Sequence, residues 1–234
     1  MNSLLSPCDR LIVALDVPTP AAAIKLAEEL SGSVSFFKIG LQLYTAAGPE
    51  IIRAIAATGA QVFLDLKLHD IPNTVAKAVA AAAGLGVQML TIHLCGGRAM
   101  IEAAVVAKSA GLKLLGVTVL TSSDEATLQE IGVRSTVLDQ VMRLAKLGEI
   151  SGIDGLITSP LEVRVLRNSL PSGIEMITPG VRPAWATADD QKRFSTPREA
   201  IANGADRLVI GRPITAHPDP REAVERIVAE LSAA

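Results

Sequence analysis

The sequence predicts an α/β protein with the architecture of a (β/α)8 TIM barrel, formed by a single domain over residues 1–234. Three observations lead to this prediction. Short apolar runs typical of buried strands alternate with helical patterns eight times along the chain. No linker, low-complexity segment or change of composition interrupts this alternation. The length of 234 residues, 49% of them hydrophobic, suits a fold that takes about 250 residues.

The predicted elements follow one another in a regular order. The strands cover residues 11–17, 36–40, 63–68, 88–94, 113–120, 155–158, 175–178 and 207–211. The helices cover residues 19–30, 49–57, 75–83, 99–109, 137–147, 162–170, 197–203 and 220–231. The pair Thr19-Pro20 opens the first helix, and Gly84 and Gly86 end the third, as helix termini prefer.

Strands that alternate with helices imply right-handed βαβ units and a parallel sheet. Eight such units indicate a closed barrel, and a doubly wound open sheet is the alternative. Such a sheet would carry a glycine-rich dinucleotide fingerprint after its first strand. Asp16-Val17-Pro18 stands there instead, which favours the barrel.

Residues 63–74 are the most informative stretch, since they begin as the third strand and end at a proline-marked helix start. Side chains alternate along a strand, so Asp65 and Lys67 are expected on one face and the intervening leucines on the other. Asp70 follows just past the strand end. Buried charge is costly unless it is paired, so these alternating charges indicate a functional arrangement.

Polar residues recur at the carboxyl ends of the predicted strands, where (β/α)8 barrels carry out their chemistry. They are Asp16, Lys38, Asp65, Lys67, Thr121, Ser122, Arg182 and Arg212. Each one taken alone is equally well explained as a paired or solvated strand end. The convergence of opposite charges on one rim favours a site.

The ends of the last two strands occupy the position at which such barrels usually bind phosphate. Gly211 has no Cβ, so a phosphate can approach the backbone there, and Arg212 can bind it through paired hydrogen bonds. The polar loop at residues 181–195 contains Gln191, an amide donor able to reach a phosphate, with a simple solvated loop as the alternative. Trp185 in the same loop is expected to pack.

Composition argues against several function classes. A net charge of -2 gives no basic field for nucleic acid. The longest apolar runs are too short for a membrane span, and we expect no signal peptide. Cys8 and Cys95 lie far apart and form no disulfide framework, so we expect a reducing cytoplasm.

Metal and covalent chemistry find little support among the residues. The histidines are His69, His93 and His217, and no predicted strand carries a His-x-Asp pair of the kind that strand-end metal sites use. No Gly-x-Ser-x-Gly arrangement occurs. An amine between carboxylates keeps its charge, so Lys67 suits a proton donor better than a nucleophile.

Residues 65–74, Asp-Leu-Lys-Leu-His-Asp-Ile-Pro-Asn-Thr, resemble the signature of the orotidine 5'-monophosphate decarboxylase family. The resemblance extends along essentially the whole chain. Further segments similar to that family lie at residues 11–16, 37–40, 48–49, 178–183, 190–193 and 210–214. The central motif is highly specific, and the order of the other segments adds weight.

This resemblance implies decarboxylation of orotidine 5'-monophosphate to uridine 5'-monophosphate in de novo pyrimidine biosynthesis, by a homodimer without metal or cofactor. It implies that Lys67 donates a proton to C6 of the pyrimidine and that Asp65 stresses the substrate carboxylate. Lys38 and Asp70 complete the implied catalytic set.

The resemblance also implies contacts to the substrate and between subunits. The implied substrate-binding residues are Asp16 and Lys38 at the ribose, Thr121 at the pyrimidine, Arg182, Gln191, Gly211 and Arg212 at the 5'-phosphate, and also Ile71, Thr74 and Pro179. Asp70, Ile71 and Thr74 are implied to reach the site of the partner subunit.

Two alternatives remain open from the sequence. A metal-dependent sugar-phosphate decarboxylase or hexulose-phosphate synthase has a similar barrel and resembles this chain around Asp-x-Lys-x-x-Asp. The continuation at residues 70–74 favours the nucleotide enzyme. A non-catalytic sensor of a phosphate ligand is the alternative of another class, but such a binder has little use for Asp65 facing an anion.

Overall fold

Eight parallel strands close into a barrel in the structure, a computed structural model that describes residues 5–186 and 195–232. The strands are β1 (Leu11–Ala14), β2 (Phe36–Gly40), β3 (Gln61–Leu68), β4 (Met89–His93), β5 (Lys113–Val117), β6 (Gly155–Ile157), β7 (Glu175–Thr178) and β8 (Arg207–Ile210). Strand β8 pairs with β1 through Val209 opposite Ile12, so the sheet formed by these strands has no free edge. The predicted (β/α)8 architecture is confirmed.

Helices connect the strands along the described part of the chain. They are α1 (Pro7–Arg10), α2 (Pro20–Glu29), α3 (Leu41–Ala47), α4 (Glu50–Ala57), α5 (Pro72–Gly84), α6 (Arg98–Ala107), α7 (Glu125–Glu130), α8 (Val137–Ile150), α9 (Val163–Ser169), α10 (Pro197–Ala202), α11 (Arg212–Thr215) and α12 (Pro220–Ser232), with a 3-10 turn at Leu94–Gly96. Thr19 caps α2 by accepting a hydrogen bond from the backbone of Ala22. Within the described ranges, no helix is long and apolar enough to cross a bilayer.

Apolar side chains alternate between the two faces of the barrel wall, and each face forms its own core. On the outer face, Leu11 and Val13 belong to the large cluster that includes the apolar sides of the helices. The inner cluster consists of Ile12, Ala14, Phe36, Phe63, Met89, Leu115, Ile177 and Val209. Two residues further along β2, β3 and β4, the inner face turns polar. The strand period thus brings Lys38, Asp65 and Thr91 to the mouth of the barrel.

Several element boundaries differ from those that the sequence predicts. Strand β1 ends at Ala14 and β5 at Val117, so Asp16 and Thr121 lie in the following loops and not at the strand ends. The predicted polar loop after β5 contains α7, and α3 precedes α4 in the second unit. These added helices span six and seven residues, fewer than two turns, which is too short for a distinct helical pattern in the sequence.

Candidate active site

Lys38 and Asp65 reach the barrel mouth from the adjacent strands β2 and β3. The side chain of Lys38 is nearly buried, and its Nζ lies 3.0 Å from Asp16 Oδ1 and 3.8 Å from Asp65 Oδ2. A Cβ at position 40 would lie 3.0 Å from this ammonium, so Gly40 provides the space that it occupies. Two acids from different elements therefore hold the amine of Lys38 in place.

Lys67 is held by a strained stretch of backbone. Its φ of 52° is the only positive value at a non-glycine residue in the described part of the chain, a conformation that costs energy for an L-residue. The β3–β4 register shifts between Leu64 and Leu68, which marks a bulge around Lys67. The Nζ of Lys67 lies 2.8 and 2.9 Å from the two carboxylate oxygens of Asp65.

The expected pairing of charge on β3 is therefore present, but it is reached differently from the prediction. Asp65 and Lys67 meet at the mouth across the bulge, and not by the simple alternation of a regular strand. Leu66 and Leu68 pack against the outer core, as expected for the leucine face.

Thr91 on β4 is a site residue that the sequence analysis missed. Its side chain is fully buried. Its hydroxyl accepts a hydrogen bond from the backbone N–H of Lys67 at 2.8 Å and donates one to Asp65 Oδ1 at 2.9 Å. A signal for it exists in the sequence: Thr91 follows the inward Met89 by two residues, as Asp65 follows Phe63.

Two cavities open at the mouth and share a charged wall. One has a volume of about 160 Å³ and apolar lining from residues such as Val117 and Ile157, with Thr121 at its edge. The other has a volume of about 390 Å³, and its lining includes Arg182 and Arg212. The residues common to both linings are Lys38, Asp65, Lys67, Pro179 and Val209. The ammonium of Lys67 thus lies at the boundary between an apolar and a cationic compartment.

His93, at the end of β4, lies close to the charged groups of the mouth. Burial lowers the pKa of His93 below its ordinary value of 6.5, and the charges of His69 and Lys67 lower it further, while Asp65 acts in the opposite direction. The ring centroids of His69 and His93 are 5.7 Å apart. Burial and the neighbouring positive charges therefore both favour the neutral form of His93.

Comparison with known proteins identifies the family. The sequence profile of the orotidine 5'-phosphate decarboxylase / HUMPS family matches residues 9–227. The chain belongs to this family. An orotidine 5'-phosphate decarboxylase of Opitutus terrae is 52% identical over 227 residues, covering 96% of this chain and 98% of the relative. The protein of the same name in Syntrophotalea carbinolica is 50% identical over 233 residues, covering 96% of each.

A solved structure shows the same relationship. The crystal structure of orotidine 5'-phosphate decarboxylase from Lactobacillus acidophilus matches with a TM-score of 0.84 at 38% identity, over 95% of this chain and 99% of that one. The resemblance seen in residues 65–74 is therefore confirmed at the level of the orotidine 5'-phosphate decarboxylase / HUMPS family.

The structure brings most of the predicted substrate-binding residues of this family member to the two cavities. Asp16, Arg182, Gly211 and Arg212 line the larger cavity, Thr121 lines the smaller one, and Pro179 lines both. Gln191 lies outside the described residues. Trp185 packs edge-on against His217, at 5.7 Å between centroids, and beneath the guanidinium of Arg226.

Asp70, Ile71 and Thr74 are placed differently from the other predicted residues. The carboxylate of Asp70 accepts a hydrogen bond from the backbone N–H of Ile71 at 2.6 Å. Ile71 precedes α5, and the residue is 66% exposed. None of these three residues lines either cavity within the single described chain.

Proposed function

We propose that this protein decarboxylates orotidine 5'-monophosphate to uridine 5'-monophosphate, a step of de novo pyrimidine biosynthesis. The observation that carries this proposal is the ammonium of Lys67, paired with Asp65 on the wall between an apolar and a cationic cavity. An apolar compartment suits a pyrimidine and a cationic one suits a phosphate, so the amine faces the reacting carbon of a nucleotide that spans both. Relatives named orotidine 5'-phosphate decarboxylase at about 50% identity support the same reaction.

The larger cavity is the proposed site of the 5'-phosphate and the ribose. Arg182 and Arg212 bind the phosphate through charge-assisted hydrogen bonds, beside the backbone at Gly211. The carboxylate of Asp16 and the ammonium of Lys38, which already form an ion pair, bind the ribose hydroxyls. Gln191 is proposed as a further phosphate ligand from the sequence alone.

The smaller cavity is the proposed site of the pyrimidine, with Thr121 as its polar contact and Pro179 at its border with the ribose. Its apolar lining also suits the release of CO2, a neutral and weakly solvated product. Binding of the rest of the nucleotide holds the substrate carboxylate against Asp65.

The chemistry follows from the position of the amine. Cleavage of the bond between C6 and the carboxylate releases CO2 and leaves an electron pair on C6. The ammonium of Lys67 stabilises this developing negative charge and then transfers a proton to C6, which completes uridine 5'-monophosphate. Asp65 repels the substrate carboxylate before the reaction, and that repulsion disappears as CO2 departs. Solvent returns the proton to Lys67.

Binding of the remote phosphate contributes to the rate because its binding energy orients the pyrimidine against Lys67. Arg182 and Arg212 lie across the shared charged wall from the apolar cavity. Lys38 lies close to the carboxylates of Asp16 and Asp65 and helps to fix Asp65. Asp70 is the remaining member of the proposed catalytic set.

A homodimer is also part of the proposal, with Asp70, Ile71 and Thr74 contributed to the site of the partner. The large exposed side chain of Ile71 directly beside the charged motif supports an interface there. Mixing of two inactive variants tests it. Lys67→Ala and Asp70→Ala subunits, refolded together, are expected to regain about a quarter of the parental sites, since half of the dimers are mixed and one of their two sites is intact. Activity that does not return on mixing contradicts the shared site.

A cytoplasmic location is proposed as well, supported by Cys8 and Cys95, which are both free thiols in the structure.

The metal-dependent alternative in this family is less well supported by the charged set. Both oxygens of Asp65 accept hydrogen bonds from Lys67, so an ammonium stands where a divalent cation would need to bind. In the described residues, no group of three or more His, Cys, Asp or Glu side chains is arranged to hold a metal ion. A non-catalytic sensor has no use for the strained placement of Lys67.

One assay tests all three functions. We expect the ultraviolet absorbance of orotidine 5'-monophosphate to fall on addition of the protein, at the same rate with and without a chelator. No change of absorbance would contradict the decarboxylation, and chelator-sensitive turnover of a sugar phosphate would then favour the metal-dependent enzyme. Tight binding of the nucleotide without any change of absorbance would favour the sensor.

A further inference from the structure

The hydroxyl of Thr91 lies at a break in the ladder between β3 and β4. Leu64 pairs with Leu90 and Leu68 pairs with Ile92, so four steps on β3 are matched by two steps on β4. The backbone N–H of Lys67 falls in this interval and bonds to Thr91 Oγ1 at 2.8 Å. A side chain thus accepts the hydrogen bond that a regular strand would have accepted with its backbone.

The same hydroxyl fixes the carboxylate beside it. A threonine hydroxyl has one proton to donate, and that of Thr91 is directed at Asp65 Oδ1, at 2.9 Å. The same oxygen of Asp65 accepts from Lys67 Nζ at 2.8 Å. The four groups form a closed ring: Lys67 backbone N–H, Thr91 hydroxyl, Asp65 carboxylate and Lys67 ammonium.

We propose that Thr91 is a positioning residue for the decarboxylation, because its hydroxyl holds the strained backbone of Lys67 and the carboxylate of Asp65 in the arrangement that aims the ammonium. This inference rests on the proposed function. Thr91 is fully buried and belongs to the lining of neither cavity, so it acts through Asp65 and Lys67 and touches no substrate.

The geometry determines which kinetic constant should change. The proposed phosphate and ribose contacts come from other elements and do not involve Thr91. Removal of the hydroxyl frees Asp65 and the Lys67 backbone to shift, which misaligns the amine in the chemical step. Substrate binding is therefore expected to persist while turnover falls.

The test compares Thr91→Val, which keeps the shape and removes the hydroxyl, with Thr91→Ser, which keeps the hydroxyl. We expect kcat of Thr91→Val to fall about 10- to 100-fold, with KM and the affinity for uridine 5'-monophosphate changed less than about twofold. Thr91→Ser is expected to stay within about threefold of the parent. The matched control is Thr118→Val, since Thr118 is a buried threonine at the same end of the barrel whose hydroxyl donates to the Ile157 carbonyl, at 3.3 Å.

Three results would overturn the inference. They are an unchanged kcat in Thr91→Val, an equal loss in the serine and valine variants, and a loss of nucleotide affinity that parallels the loss of kcat. If Thr91→Val does not fold, Thr91→Cys replaces it, because a thiol is a much weaker hydrogen-bonding group of similar size. Failure of the proposed function is distinguishable, since the parent itself would then show no turnover and the inference would fall with it.

Discussion

Two charged clusters lie at opposite ends of the same barrel, and each consists of an acid between two bases. At the mouth, Asp65 lies between Lys67 and Lys38. At the opposite end, the floor, where strands β5, β7 and β8 begin, Glu175 accepts hydrogen bonds from Arg207 and from Lys113, at 2.6 Å in each case. The strand period explains both, because Glu175 and Arg207 precede the inward residues Ile177 and Val209 by two positions, while Asp65 follows the inward Phe63 by two.

The two clusters differ in whether their charged groups remain accessible to a ligand. At the floor, Arg207 also donates to the backbone carbonyl of Asp9 and stacks on Phe36, 4.6 Å from the ring centroid. Its charge is therefore satisfied within the protein. At the mouth, Lys38 donates to Asp16, whose side chain is largely exposed, and its Nζ is 3.8 Å from Asp65, too far for a hydrogen bond. Lys38 and Asp65 both line the two open cavities.

This difference separates a stabilising ion pair from a reactive one. A buried pair needs complete hydrogen bonding to offset its desolvation, and the floor provides it. The mouth instead keeps backbone strain at Lys67 and leaves charge exposed to a ligand. Substitutions at the mouth should therefore reduce activity with little effect on stability, and those at the floor should do the reverse.

The largest expected effect is that of Lys67→Ala. It removes both the proposed proton donor and the charge that stabilises the C6 anion, so we expect kcat to fall by more than about 10⁴-fold. Circular dichroism and binding of uridine 5'-monophosphate should show that the fold and the nucleotide site persist. Substantial remaining turnover in this variant would refute the assignment of Lys67 as proton donor.

Arg212→Ala should have a smaller effect, at the far side of the mouth. The loss of a charge-assisted contact to the 5'-phosphate is expected to lower kcat/KM about 100-fold, mainly through KM. Gln191→Ala should act in the same direction. Steady-state kinetics with orotidine 5'-monophosphate measure both effects, and parental KM values in both variants would show that the phosphate binds elsewhere.

Glu175→Gln tests the floor. It leaves Arg207 and Lys113 without their anion, so we expect the free energy of unfolding to fall by about 3 kcal/mol while kcat stays within about twofold of the parent. Urea denaturation and the absorbance assay measure the two quantities. A large loss of kcat with unchanged stability would reverse the roles assigned to the two ends.

The floor also predicts how stability depends on pH. Burial raises the pKa of Glu175, but hydrogen bonds from Lys113 and Arg207 outweigh it and hold the pKa below its ordinary value of 4.5. The unfolded chain therefore binds this proton first, and the stabilisation is present above pH 4.5 and is lost as the pH falls toward the folded pKa. In Glu175→Gln, this part of the acid sensitivity should be missing from urea denaturation curves measured at a series of pH values.

The predictable part of the fold is the part governed by repetition. Eight apolar runs and their helices were sufficient to predict the closed barrel. Short helices such as α7 and α11 were not predicted, because capping and local turns determine them and neither produces a periodic pattern. The strand ends were placed too far along the chain at β1 and β5, where apolar residues continue past the last ladder pair.

In the site, residue types on β2 and β3 were predictable, and their detailed geometry was not. The charges of Asp65 and Lys67 are evident in the sequence, but the bulge between them depends on how β3 pairs with β4, a contact between distant residues. Thr91 was missed for the same reason, since its role exists only once the ladder is broken beside it.

The smallest expected effect is a change in the pKa of His93, which reports the electrostatic field at the mouth of the barrel. Burial lowers the pKa of His93, and the charges of His69 and Lys67 lower it further, so His93 should titrate below 6.5 in the parent. The unfolded chain then takes up this proton first, and stability should decrease slightly as the pH falls through 6.5. In Lys67→Ala one of the nearby positive charges is gone, so the pKa of His93 should rise, which NMR can follow because the chain has only three histidines. Glu175→Gln is the matched control, since it changes charge at the opposite end of the barrel and should leave this titration unchanged. A His93 pKa that does not respond to Lys67→Ala would mean that the amine does not set the field at the mouth.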